Sequence, residues 1–125
     1  MSDQLRENLR QYDNVSLSYP FLAATDYSTA SVKIPAKAGF TIYVVQITLS
    51  VTTDNAATQL WQDDAGTPVE YAKSKASPGL GPIVWDFGPD GVALTADKGL
   101  AHKMSGAGMA GSVSITAYRR RTINA

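Results

Sequence analysis

Cysteine is absent from this 125-residue sequence, which excludes disulfide bonds, cysteine-ligated zinc sites and thiol nucleophiles. Histidine is nearly absent as well, and the single His102 cannot supply the cluster of imidazoles that a histidine-rich metal site requires. The formal net charge is zero at pH 7, because the 11 Lys and Arg residues balance the 11 Asp and Glu residues. That balance argues against a general binder of nucleic acid or of anionic membranes.

No apolar run in the sequence is long enough to cross a membrane. The longest, FTIYVVQITLSV over residues 40–51, is interrupted by Gln46, Thr48 and Ser50, and it falls short of the roughly 20 residues that a membrane-spanning helix needs. The N-terminal stretch MSDQLRENLRQYDN is too charged for a signal peptide. At this length we expect one soluble domain without a recognisable export signal.

Residues 2–12 form the one segment with helical periodicity. Leu5, Leu9 and Tyr12 fall on one face at helical spacing. Three apolar residues make a narrow stripe, and a helix this short is marginal in isolation. We therefore predict that residues 1–13 form an arm or short helix, which needs a surface to lie on, its own or a neighbour's.

Beyond Asn14 the sequence alternates with a period of two, which is typical of strands with one buried face. The long run TIYVVQITLSVTT predicts one strand with a dry face, made of Tyr43, Val45, Ile47, Leu49 and Val51. Further strands are predicted at VSLSY, SVKIP, ATQLWQ, PVEYAKS, PIVWDF, GVALT, GLAHKM and SVSITAY. Many short strands separated by turn formers indicate an antiparallel sandwich or barrel. We predict an all-β fold over residues 14–125, an antiparallel β-sandwich of the jelly-roll type with about eight strands.

The stretch GAGMAG, residues 106–111, matches the dinucleotide-binding pattern G-x-G-x-x-G. That pattern binds a cofactor when a helix begins at the glycines and an acidic residue follows about 20 residues later. Here the run SVSITAYRRR follows, which alternates like a strand, and none of the following residues is acidic. We therefore interpret the glycines as a loop between two strands and expect no cofactor.

Two other candidates for chemistry have plainer interpretations. Asp63 and Asp64 adjoin beside Trp61, and an aromatic residue next to two acids suggests a sugar-cleaving site. Adjacent strand residues point to opposite faces, however, and an Asp followed two residues later by Gly favours a hairpin turn. We interpret His102 as an ordinary surface histidine, with a metal site shared by three copies as the less favoured alternative. Because no G-x-S-x-G nucleophile elbow is present either, we predict that the protein is not an enzyme.

The stretch YRRRT, residues 118–122, is the one cluster of like charge in the sequence. Arg119, Arg120 and Arg121 could dock on an acidic partner surface or on phosphates, since the planar guanidinium suits both. The alternative is that alternating strand faces project Arg119 and Arg121 one way and Arg120 the other, into solvent. Both interpretations stay open.

Two stretches together carry a resemblance to a known family: TIYVVQITLSVTTDNAATQLWQDDAGTPV and GPIVWDFGPDGVALTADKGLAHKMSGAGMAGSVSITAY. In strand order and turn style they resemble small jelly-roll proteins encoded by tailed bacteriophages, several of which are capsid decoration (cement) proteins. The resemblance covers roughly residues 40–119.

The resemblance implies a structural virion protein on the capsid surface, made in the host cytoplasm. It implies a homotrimer that binds the major capsid protein at local three-fold positions, with no nucleic-acid or membrane partner. An N-terminal arm would clamp neighbouring subunits. The candidate capsid contacts are then Leu5, Leu9 and Tyr12 on the arm, together with Arg119, Arg120 and Arg121.

The alternative function is a trimeric receptor- or carbohydrate-binding head of a phage tail fibre or spike. Trp61 and Trp85 would then be candidates for stacking on a sugar. Trp85, however, alternates with Ile83 and Phe87 as a core residue would. A small hydrolase is the least favoured interpretation.

Overall fold

The computed structural model describes residues 13–22, 29–52, 57–76, 81–105 and 109–122. The predicted helix over residues 2–12 lies outside these ranges. The described residues form ten strands: β1 (Asp13–Asn14), β2 (Leu17–Phe21), β3 (Ser31–Ile34), β4 (Phe40–Val51), β5 (Ala57–Asp63), β6 (Glu70–Ala76), β7 (Ile83–Asp86), β8 (Val92–Ala93), β9 (Leu100–Met104) and β10 (Gly111–Arg121). No helix within the described ranges is long and apolar enough to span a membrane.

The strands pair in two antiparallel sheets. In the larger sheet β10 lies between β4 and an edge formed by β1 and β2, and β7 and β8 both pair with the other side of β4. The smaller sheet has the order β3-β9-β5-β6. When β1 is counted with β2 and β8 with β7, the first strand pairs with the last, the second with the seventh, the third with the sixth and the fourth with the fifth. This nested pairing is that of a jelly roll, and it confirms the predicted fold.

The core lies between the two sheets and is built from the alternating residues of both. Along β10, for example, Val113 and Ile115 are buried whereas Ser112 and Ser114 are exposed. Burial of these apolar side chains drives the two sheets together. The buried core cluster consists of Phe21, Ile34, Ile42, Val44, Ile47, Leu49, Trp61, Leu94, Leu100, Met104, Met109, Val113, Ile115 and Ala117.

Because of a bulge, the residues of β4 that face the core differ in part from those predicted. The pairing between β10 and β4 shifts register at Thr116 and Ala117, so that Val44 lies opposite Ala117 and Tyr43 opposite Tyr118. An inserted residue reverses the side to which the following side chains point. The prediction was therefore wrong for Tyr43 and Val45, which pack with Tyr118 in a second, smaller cluster outside the main core.

Candidate partner-binding site

His102 lies inside the sandwich, and the prediction of a surface histidine is wrong. Its side chain has no exposed surface, and its ring stacks on Trp61 with the centroids 4.1 Å apart. Nε2 lies 2.6 Å from Oε1 of Gln59 and Nδ1 lies 2.9 Å from the hydroxyl of Tyr19. Because an amide oxygen only accepts, Nε2 donates to Gln59, and Nδ1 of the neutral ring accepts from Tyr19. With both nitrogens engaged inside one chain, His102 does not contribute to a metal site shared between copies.

The surroundings of His102 favour its neutral form. Burial, and secondarily the nearby Lys33 ammonium, lower the pKa of His102 to about 3. A charged imidazolium would lose its hydration here and, having no lone pair, could no longer accept the hydroxyl proton of Tyr19. His102 is therefore a neutral structural group of the core at ordinary pH.

The acidic pair after Trp61 forms a turn, as the sequence predicted. Asp63 is fully buried at the end of β5, and its carboxylate accepts hydrogen bonds from the Thr95 hydroxyl at 2.6 Å, the Tyr71 hydroxyl at 3.3 Å, and the backbone N–H groups of Ala65 and Val69. Burial raises the pKa of Asp63, but these donors together outweigh it, so the pKa lies below the usual value. The four donors hold this carboxylate in its ionised form, and its hydrogen bonds fix the loop after β5, so it has no proton to donate as an acid catalyst would.

Trp61 lies in the core and cannot stack on a sugar. Trp61 is completely buried, and Trp85 is half-buried against the core, with its ring 6.0 Å from that of Trp61 in an edge-on arrangement. The prediction of Trp61 as a sugar platform is therefore wrong, because both sides of its ring face protein.

The glycine-rich stretch leads into a strand. Residues 106–108 lie outside the described residues, and β10 begins at Gly111. A side chain at Gly111 would collide with the carbonyl oxygen of Ser50 and with the ring of Phe21. The last glycine of the pattern therefore permits close packing of two strands, and no helix starts there.

The strongest candidate for a partner site is the end of the larger sheet where β10 finishes, which we call the cationic end (Lys37, Phe40, Tyr43 and Arg119–Arg121). A turn positions it: Gly39 adopts a φ of 81° and donates its N–H to Oδ1 of Asp97 at 2.6 Å. The N–H of Thr122 donates to the carbonyl of Gly39 at 2.8 Å, which fixes the end of β10 beside the turn.

The cations of this end lie over aromatic rings. The guanidinium carbon of Arg120 is 4.5 Å from the centroid of Tyr43, which itself stacks on Tyr118 at 5.1 Å. The guanidinium carbon of Arg121 is 5.5 Å and Nζ of Lys37 is 4.2 Å from the centroid of Phe40. Such cation–π contacts hold cationic side chains in place over the rings.

The register of β10 with β4 places Arg119 and Arg121 on one side of the sheet and Arg120 on the other. Lys37 forms an ion pair of 3.5 Å with Asp13. Within the described residues Arg119 and Arg121 form no ion pair, and the buried Nε–H of Arg119 has no hydrogen-bond acceptor. Arg119 and Arg121 are therefore two guanidinium groups of this end that have no ion-pair partner within the described part of the chain.

The cationic end is also the place where the N-terminal segment enters the sandwich. Asp13 is the first described residue, and it pairs with Arg119 in the ladder between β1 and β10. The predicted arm contacts Leu5, Leu9 and Tyr12 lie outside the described residues. Their segment is nevertheless joined covalently to the sheet next to the arginines, which the sequence did not indicate.

Comparison of the sequence with models of protein families finds no match, and comparison with curated proteins finds none either. Within the described ranges, no three His, Cys, Asp or Glu side chains lie close enough together to hold a metal ion. The geometry of the cationic end is thus the main guide to function.

Proposed function

We propose that the protein is a structural virion protein, a capsid decoration (cement) protein that stabilises a phage head by bridging subunits of the major capsid protein. The observation that carries this proposal is that Asp13, to which the predicted arm is joined, lies at the same end of the jelly roll as the three arginines. The root of the N-terminal segment at Asp13 pairs directly with Arg119. An arm and a cationic patch that share one end can grip two neighbouring subunits at once.

The chemistry of the cationic end fits an acidic protein surface. Arginine forms bidentate hydrogen bonds with carboxylates, and its planar guanidinium group can stay stacked on an aromatic ring while it binds the carboxylate. Aromatic residues and arginine are the side chains enriched at the centres of protein interfaces. Phe40, Tyr43 and the three arginines provide that combination within one sheet end.

Decoration requires only modest affinity per copy. A homotrimer, the assembly that the resemblance implies, would present three cationic ends and three N-terminal segments to one shell. Linked contacts raise the total affinity well above that of each contact, because the second binding event becomes intramolecular. The burial of Trp61 removes one of the two tryptophans that the alternative, a carbohydrate-binding head, would use to stack on a sugar.

The test is cosedimentation of the purified chain with undecorated heads from a phage whose genome encodes it. We expect wild-type protein to sediment with the heads. The double variant Arg119→Glu/Arg121→Glu should bind at least about tenfold more weakly, since charge reversal turns each attraction into repulsion.

Two variants serve as controls. Lys73→Glu/Lys75→Glu makes the same change of charge on β6, in the other sheet, and should bind as the wild type does. Arg121→Glu alone changes an exposed side chain and should leave the fold intact. Weaker binding of this variant would therefore reflect a lost contact with the heads and not unfolding. Equal binding of all variants, or no binding of the wild type, contradicts the proposal.

A further inference from the structure

The outer surface of the smaller sheet carries an open groove over β9, β5 and β6, which we call the lysine groove (Thr58, Leu60, Lys73, Lys103 and Ser105). Leu60 on β5 lies directly opposite Lys103 on β9 and directly opposite Lys73 on β6. These residues line a volume of about 270 Å³, just below the roughly 300–1,000 Å³ of typical small-molecule sites. The size of the groove therefore suits a small ligand.

Three ammonium groups surround the lysine groove. Two strand spacings separate Lys73 from Lys103, so their Cα atoms are about 9.6 Å apart across Leu60. Lys75 lies opposite Thr58, about 6.8 Å from Lys73 along β6. Because lysine has a flexible four-carbon stem, all three ammonium groups can contact one anionic group above Leu60.

The charge of these lysines has no counter-charge in contact with it. Within the described residues none of Lys73, Lys75 and Lys103 forms an ion pair. The acidic residue of β6, Glu70, lies at the other end of that strand, opposite Gln62. A cleft lined by charges of one sign raises the local concentration of ions of the opposite sign. Glu70 also interrupts the cationic surface along β6, so the groove lacks the longer positive track that a nucleic acid backbone needs.

A hydroxyl group completes the groove on the β9 side. The N–H of Thr58 donates to the hydroxyl oxygen of Ser105 at 2.9 Å, and the N–H of Ser105 donates to the carbonyl oxygen of Thr58 at 3.0 Å. These two hydrogen bonds fix Ser105 beside β5. Because the Ser105 oxygen is the acceptor in the first of them, its own O–H can donate to a ligand in the groove.

We propose that the lysine groove binds a phosphate group, either the free ion or a phosphate carried on a small molecule. A phosphate group presents three strong acceptor oxygens that point in different directions, which suits separate ammonium groups and a hydroxyl around it. Lysine binds phosphate as a point charge, whereas the planar guanidinium groups of the cationic end match the planar carboxylate. The inference concerns the free protein and does not rest on capsid binding.

The test is a titration of the full, isotope-labelled chain followed by amide NMR shifts, in which sodium phosphate replaces sodium chloride at constant ionic strength. We expect saturable shifts at the residues of the lysine groove, with a dissociation constant in the millimolar range, because each exposed ionic contact contributes little. A second titration with glycerol phosphate, and glycerol as its control, distinguishes the two sources. Tighter binding of glycerol phosphate than of inorganic phosphate indicates a carried phosphate, and the reverse order indicates the free ion.

Two double variants locate the binding. Lys73→Gln/Lys103→Gln should weaken phosphate binding about tenfold, since it removes two ionic contacts. The matched control Lys37→Gln/Arg121→Gln removes two exposed positive charges from the cationic end and should bind phosphate as the wild type does. The amide spectrum of each variant shows directly whether it is folded.

Two outcomes overturn the inference. One is a wild type whose groove residues show no saturable shift with either phosphate compound, which would mean a diffuse ion atmosphere only. The other is equal affinity of the wild type and Lys73→Gln/Lys103→Gln, which would place the bound phosphate elsewhere on the protein.

Discussion

Lowering the pH should weaken the fold through His102. The folded protein holds this histidine with a pKa of about 3, whereas an unfolded chain has a histidine pKa of about 6.5. Between these two pH values His102 is protonated in the unfolded chain and neutral in the folded protein. With respect to His102, the free energy of unfolding is therefore highest above pH 6.5, and it falls progressively as the pH falls towards 3.

The size of the effect follows from the two pKa values. Each pH unit below 6.5 removes about 1.4 kcal/mol, so the free energy of unfolding should fall by about 2.7 kcal/mol between pH 7.5 and pH 4.5. Asp63 acts in the same direction but at lower pH. Its pKa is below the usual value, so its contribution is present above the unfolded pKa of about 3.9 and is lost as the pH falls through the folded pKa.

Urea unfolding followed by tryptophan fluorescence at pH 7.5, 6.5, 5.5 and 4.5 measures this loss. The control is His102→Gln, which keeps a polar side chain at the position but has no proton to gain. It should be less stable at pH 7.5 and should lack most of the decline towards pH 4.5. If the wild type and His102→Gln decline equally, the reasoning about His102 is refuted.

Two further predictions concern stability. Asp63→Ala should lower the free energy of unfolding by about 3 kcal/mol, because it leaves four donors without their acceptor. Asp86→Ala removes one exposed hydrogen bond from the N–H of Gly88 and should lower the free energy of unfolding by less than about 1 kcal/mol. Equal losses of the two variants in urea unfolding would contradict this account. Gly111→Ala should destabilise by about 2 kcal/mol or more, since its Cβ meets strand backbone and Phe21. Gly66→Ala, which meets nothing within 4 Å, should leave the thermal midpoint almost unchanged, and a similar fall in both variants would count against close packing at Gly111.

The strands were predictable because burial imposes a simple period. A strand between core and solvent must alternate, and SVKIP and GLAHKM correspond within one residue to Ser31–Ile34 and Leu100–Met104. The bulge that moves Tyr43 and Val45 to the outer face was not predictable in this way. It arises from pairing with a strand about 70 residues away in sequence, and local alternation contains no trace of that pairing.

The burial of His102 escaped prediction for a similar reason. Its partners Gln59 and Tyr19 are 43 and 83 residues away in sequence, so nothing near LAHKM indicates that both nitrogens are satisfied. The alternation itself was a usable signal, since His102 shares a face with Leu100 and Met104, which are both buried. A polar residue on that face implies a buried hydrogen-bonded group.

The cationic end was half predictable. The run of arginines and its alternation on a strand are visible in the sequence, and the register bears out the placement of Arg119 and Arg121 on one side and Arg120 on the other. The ring contacts with Phe40 and Tyr43, and the pairing of Asp13 with Arg119, required the fold. A jelly roll brings its first and last strands together, which is why the two termini of the described chain meet here.

Cryo-electron microscopy of undecorated heads incubated with the full chain tests the central claim most directly. The account predicts additional density on the outer shell, with Asp13 and the end of β10 at Arg119–Arg121 facing the capsid subunits. Heads that remain bare, or sandwiches that contact the shell through the opposite end of β10 near Gly111, would contradict it.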